Sequence, residues 1–176
     1  MVSPKLNNFV FFGTDEFAVI VLKELARANC APTLIITPPD APRGRGQILT
    51  PPPVKLWAEQ NRIPFRQPSN LRSDLGASLR SDLDNSYNIF LVCSYGKIIP
   101  AEILTLPKHG VLNIHPSLLP KFRGPTPIQS AILAGEAETG VTIMLLDDQI
   151  DHGSILKARS LPDGKAGYNL KAKSYI

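Results

Sequence analysis

Asn113 and His115 stand two residues apart in VLNIH, and four prolines follow within a dozen residues, at 116, 120, 125 and 127. Side chains at i and i+2 of a strand leave the same face, so an amide and an imidazole would emerge together where Pro116 ends the strand. Histidine titrates nearest physiological pH and can hold or move a proton with little tuning. An asparagine NH₂ can donate to a developing oxyanion. A carboxylate beside the ring would orient it and favour its charged form. Asp151 of DDQIDHG suits that part, because Gly153 and the strand after it suggest a turn at the sheet edge, whereas Asp147 and Asp148 end a strand and face solvent. The same residues also suit a polar strand end satisfied by local hydrogen bonds. His109, before Gly110, and His152, beside Asp151, read as surface residues.

A second stretch, PPDAPRGRGQILTPPPVK, holds six prolines, two glycines and two arginines over residues 38–55. That composition predicts a long irregular loop. Loops of such length are usually functional or disordered. Arg43 and Arg45, flanked by Gly44 and Gly46, could clamp phosphates or stack on unpaired bases, or simply be solvated. No Walker pattern is present, and GTDEFA lacks the full GxGxxG fingerprint of a nucleotide-cofactor enzyme.

The elements that must position these groups follow from periodicity. Residues 8–12 (NFVFF) read as a buried strand stopped by Gly13, and residues 15–28 carry helical spacing behind Thr14 or Asp15 as N-cap. Strands are expected at 32–37, 63–65, 88–93, 111–115, 141–146 and 154–158, and helices at 54–61 from Pro53, 71–83, 101–106 and 126–134. Alternating strands and helices predict a Rossmann-like α/β fold, a mostly parallel sheet with flanking helices. Ligands in such sheets bind outside the carboxyl ends of the strands, so Gly13, residues 94–100 and the Asn113/His115 pair are expected to converge there.

Composition sets the frame. The 176 residues are 43% hydrophobic and 19% charged, enough for one globular domain with a real core. No apolar run approaches a membrane span, and the N-terminus lacks a signal-peptide pattern, which gives a cytoplasmic expectation. Cys30 and Cys93 show no metal spacing and are expected to be reduced core residues. The net charge of +4 is concentrated from Lys157 onward, where five basic residues face Asp163 alone. Such a tail suits an acidic partner such as nucleic acid, or a solvated terminus.

FFGTDEFA, the PPDAPRGRGQILTPPPVK stretch, SYGKIIP, GVLNIHPSLLPKFRGPTPIQ, GEAETGVTIM and the Asp of IDHG, in that order, resemble the methionyl-tRNA formyltransferases. These are a branch of the formyltransferases that use 10-formyltetrahydrofolate. The resemblance runs from about Phe9 to Leu156, and GRG and RGPTPIQ point to the tRNA branch rather than to the purine-pathway enzymes. It implies that Asn113, His115 and Asp151 match the catalytic trio. It implies that the folate co-substrate lies along SYGKIIP, with Tyr95, Gly96, Ile98 and Ile99 near the pterin and Pro116, Ser117, Leu118, Leu119 and Pro120 beside it. No metal is implied. Arg45, with Arg43, matches the loop that enters the acceptor stem of methionyl initiator tRNA, the expected partner.

Family members normally carry a C-terminal β-barrel, joined by a basic linker, that holds the tRNA. Here residues 1–156 are expected to form the catalytic domain and 157–176 a basic tail or truncated linker. With no amphipathic helix after 155, part of a sheet face would be open, which predicts a monomer or weak dimer, and a charge of +4 in the tail offers few phosphate contacts. Two further readings keep the same core: a folate-dependent enzyme acting on an amino sugar or other small amine, and a noncatalytic folate- or RNA-binding remnant.

Overall fold

The computed structural model describes residues 8–74, 79–84 and 86–162. The chain divides into two compact units, Met1–Leu112 and Asn113–Ile176. In chain order the first unit holds β1 (Phe9–Gly13), α1 (Glu16–Arg27), β2 (Leu34–Ile36), β3 (Ala41–Arg43), β4 (Ile48–Thr50), α2 (Pro53–Gln60), β5 (Phe65–Arg66), α3 (Leu71–Asp74), α4 (Arg80–Asp82), β6 (Ile89–Cys93) and α5 (Ala101–Leu104). The division falls within β7 (Val111–His115), and α6 (Pro127–Leu133), β8 (Glu138–Leu145) and β9 (Ile155–Pro162) follow in the second unit.

The first unit is built on β1. Its run FVFFG is buried throughout, because the strand pairs in parallel with β2 on one side and β6 on the other. A parallel strand covered on both faces has no use for alternation, hence the continuous apolar run. The hydrogen-bonded order here is β5-β2-β1-β6. Phe12 lies at the centre, its ring 5.6 Å from Phe90 and edge-on to Tyr95 at 5.5 Å. The first strand leads into α1, where the Asp15 carboxylate caps the helix by accepting from the Ala18 amide at 3.1 Å. The helix buries Ala18, Val19 and Leu22 and ends where Asn29 takes a left-handed φ of 56°.

Two expectations are corrected in this unit. Residues 41–50 are not irregular: β3 and β4 form an antiparallel ribbon with Pro42 opposite Leu49. A two-stranded ribbon is all edge, so a proline without an N–H can sit in it, and Gln47 N–H donates to Gly44 C=O at 3.2 Å to close its turn. Of the helix expected over 71–83, α3 and α4 are described and residues 75–78 lie outside the described residues; α3 is started by the Asn70 carboxamide, which accepts from the Arg72 amide at 2.8 Å. Cys93 is buried but Cys30 is only half-buried, its thiol on the Ala28 carbonyl, so one cysteine rather than two belongs to the core. Burial pushes the Cys93 thiol far up, which keeps it uncharged.

In the second unit the order is β7-β8-β9, with β8 and β9 antiparallel and a bulge between Ile143 and Met144. Residues 139–145 alternate in burial, with Gly140, Thr142 and Met144 on the core face. The last strand does not stop at 158. It continues to Pro162, so Lys157 and Arg159, expected in a tail, lie in a ladder opposite Ile143 and Val141. The cross-strand amides and carbonyls of β8 supply the partners that hold these residues in a strand. Lys165, Lys171 and Lys173 lie outside the described residues.

Candidate active site

Asn113 and His115 leave the same face of β7 and meet Asp151, which is carried on the turn between β8 and β9. His115 and Asp151 are both buried. Asn113 Nδ2 donates to Asp151 Oδ1 at 3.4 Å, and His115 Nδ1 faces the same oxygen at 3.6 Å. Both distances exceed those of strong hydrogen bonds, so this is a loose electrostatic cluster around one carboxylate oxygen. The other oxygen, Oδ2, accepts a short 2.7 Å bond from the Gly124 amide.

The far side of the ring is also engaged. His115 Nε2 lies 2.9 Å from the Phe122 carbonyl. A carbonyl can only accept, so Nε2 carries a proton. Nδ1 is aimed at the Asp151 carboxylate, which orients the ring. His115 on β7 and Asp151 on the β8–β9 turn are thus tied by two backbone groups of one short segment, Phe122–Gly124. Phe122 (φ 57°) and Gly124 (φ 97°) both turn through the left-handed region, which brings that segment back toward β7.

The turn that carries Asp151 is clasped from within. The Asp147 carboxylate accepts from the Gln149 amide at 3.0 Å and pairs with His152 Nδ1 at 2.9 Å. The His152 hydrogen bond is the main reason the Asp147 carboxyl is held below its usual range. Asp151 itself adopts φ 48°. His109 and His152 are exposed, as their sequence positions suggest.

The segments expected to meet the folate divide into those that offer surface and those that do not. Ile98 is 82% exposed, Gly96 is exposed, and Ile99 is half-buried. The Tyr95 ring is only 2% exposed and packs against Phe12, so its side chain belongs to the core, and burial pushes its phenol far up. Its carbonyl accepts from Thr14 Oγ1 at 2.7 Å, which joins the loops after β1 and β6. Pro116, Leu118 and Leu119 are half-buried and Pro120 is exposed after a cis peptide bond. Ser117 is fully buried, its hydroxyl donating to the Lys121 carbonyl at 2.7 Å. Arg43 and Arg45 are exposed on the β3–β4 ribbon, beside the exposed Ile48 and Leu49.

Three positioning groups are not singled out by sequence patterns that point to chemistry. Thr142 Oγ1 donates to the Ser117 carbonyl at 2.7 Å and accepts from the Leu119 amide at 3.1 Å, pinning the segment after His115. Its signal is a polar residue on the core face of β8, between Gly140 and Met144. The Phe122 carbonyl and Gly124 amide have no sequence signal, because every residue carries a carbonyl and nearly every one an amide. Among the described residues no group of three or more His, Cys, Asp or Glu could hold a metal ion, and no helix is long and apolar enough to cross a membrane.

An imidazole facing a carboxylate with a neighbouring amide, at the end of a strand in an α/β fold, is an arrangement that can stabilise an oxyanion. The family model for formyl transferase matches residues 7–162, and the chain belongs to that family. Among curated proteins, it is 42% identical over 153 residues to methionyl-tRNA formyltransferase of Halalkalibacterium halodurans, an alignment covering 87% of this chain and 48% of that protein. It is 47% identical over 147 residues to methionyl-tRNA formyltransferase of Chloroflexus aurantiacus, covering 84% and 47%. The chain therefore spans about half the length of the curated relatives it matches. Among solved structures, phosphoribosylglycinamide formyltransferase of Streptococcus pneumoniae superposes with TM-score 0.68 at 22% identity, over 88% of this chain and 82% of that one. A formyltetrahydrofolate deformylase of Pseudomonas syringae pv. tomato does so with TM-score 0.66 at 18% identity, over 91% and 52%. At those identities the likeness establishes a shared fold, the mostly parallel sheet with flanking helices.

Proposed function

We propose that this chain carries the catalytic part of a cytoplasmic enzyme that transfers the formyl group of 10-formyltetrahydrofolate to the α-amine of methionyl initiator tRNA. The observation that carries this reading is the meeting of Asn113, His115 and Asp151 around one carboxylate oxygen, in a chain more than 40% identical to relatives named for that reaction. The exposed apolar surface of Ile98 and the open backbone at Gly96 suit a flat pterin, whereas the buried Tyr95 ring contributes packing.

In this reading the donor supplies an activated formyl carbon. Asn113 Nδ2 and His115 donate to the oxygen of that carbon as it gains negative charge when the amine attacks. Asp151 holds the ring oriented and charged, and the Gly124 amide holds Asp151. No covalent bond to the protein is required. Collapse of the adduct breaks the bond between the formyl carbon and N10 of the folate, which leaves as tetrahydrofolate, and the proton lost by the attacking amine passes to that nitrogen through water or one of these side chains. Arg43 and Arg45 on the β3–β4 ribbon are the tRNA contacts of this reading, with guanidinium forks suited to phosphates and base faces.

Formyl transfer from 10-formyltetrahydrofolate to charged initiator and elongator methionyl-tRNA, measured with His115→Ala alongside, tests it. Initiator-selective transfer that the substitution abolishes is expected. Folded protein that binds folate but formylates neither tRNA would overturn the reading.

A further inference from the structure

The segment Phe122–Gly124 touches the trio twice, yet the residue between its two contacts is free. The Phe122 carbonyl engages His115 Nε2 and the Gly124 amide engages Asp151 Oδ2. Arg123, between them, is exposed, and no described carboxylate pairs with it. Its neighbour Lys121 is committed to Glu136 at 2.9 Å. A groove of about 300 Å³ runs beside the segment, lined by Leu118, Pro120, Phe122 and Thr139 together with the charged Lys121, Glu136 and Glu138. This chain therefore presents an uncommitted guanidinium one residue from each backbone group that holds the imidazole and the carboxylate.

We propose that Arg123 binds a phosphate of the RNA acceptor, and that the strap Phe122–Gly124 thereby couples acceptor binding to the hydrogen bonding of His115 and Asp151. The proposal rests on the RNA acceptor of the preceding reading. Guanidinium is the side chain best suited to phosphate, because its planar fork of donors matches two phosphate oxygens at once. The coupling follows from the backbone. Nε2 cannot serve a substrate oxygen while the Phe122 carbonyl occupies it, so the strap must yield when the acceptor is in place. A phosphate drawn to Arg123 acts on the two peptide units concerned.

The test uses the full 176-residue chain and an RNA hairpin that mimics an acceptor stem with a single-stranded 3′ end. Its affinity is measured against salt for the wild type, Arg123→Ala, Arg123→Lys and Lys121→Ala, and the His115 ring nitrogens are followed by ¹⁵N NMR with and without RNA. Loss of one phosphate contact lowers the slope of log K on log salt by about 0.7–0.9. Arg123→Ala is expected to show that drop and to leave His115 Nε2 unshifted by RNA. Wild type is expected to show the shift, and the Arg123→Lys and Lys121→Ala proteins to keep the wild-type slope. An unchanged slope in Arg123→Ala, an equal drop in Lys121→Ala, the same Nε2 shift without the guanidinium, or absence of RNA binding by the wild type would each overturn it. Formyl transfer to methionyl-tRNA is assayed separately, so that a failure of the acceptor reading shows as missing transfer while the slope and the ring shift still judge Arg123.

Discussion

Asp151 receives every group the proposed chemistry needs, and its two oxygens divide the labour: one is fixed by a backbone amide, the other is left to Asn113 and His115 at longer range. Removing a single oxyanion donor of this type costs roughly 10²- to 10³-fold in rate, so Asn113→Ala is expected to lower kcat by that factor in a formyl-transfer assay. The KM for the folate donor should change much less. Asp151→Asn keeps an acceptor for the Gly124 amide but loses the charge facing His115, and should lower kcat at least as far while the protein still folds. The Asn113/His115 pair is legible in the sequence because a strand repeats every two residues, whereas no spacing rule connects Asp151 to them. The Phe122 carbonyl and Gly124 amide are illegible for a different reason: backbone groups become specific only when φ and ψ aim them.

The elements position these residues through burial and close approach. Phe12, at the centre of the first unit's sheet with Phe90 and Tyr95 against it, should cost about 3–5 kcal/mol when cut to Ala, measurable by urea unfolding. In the β8–β9 turn, an added Cβ at Gly153 would collide with the Leu145 carbonyl. Gly153→Ala should therefore cost more than the roughly 1–3 kcal/mol of ordinary overpacking, and lower activity because Asp151 rides on the same turn. The entry to the β3–β4 ribbon is held by Asp40, which accepts from Gln67 Nε2 at 2.8 Å and pairs with Lys55 at 2.8 Å. The Gln67 hydrogen bond and then Lys55 hold the Asp40 carboxyl below the usual aspartate value of 3.8. A folded carboxyl held below its unfolded value stabilises the protein above that unfolded value, and the contribution disappears as pH falls through the lower folded one. The gap in urea midpoint between wild type and Asp40→Asn should thus be widest near neutrality and close as pH drops below 3.8. The same ribbon shows why composition misled: six prolines argue against structure on average, but one proline in an all-edge ribbon and others at strand and helix starts break nothing.

For the molecule as a whole, charge is the property that reaches beyond contacts. Residues 163–176 carry Lys165, Lys171 and Lys173 against Asp163. A version ending at Pro162 should show a flatter dependence of RNA affinity on salt, by up to about 2–3 in the log–log slope, with its affinity for the folate donor unchanged. The sequence by itself determined the α/β class, β1 and β6 as buried parallel strands, the exact span of β7, and the face shared by Asn113 and His115, since each of these rests on local periodicity and polarity. Only the tertiary structure decided that Tyr95 is core, that Lys157 and Arg159 lie in a strand, and that Phe122–Gly124 holds His115 and Asp151. These depend on which backbone groups find partners far along the chain, and no local pattern of side chains encodes that choice.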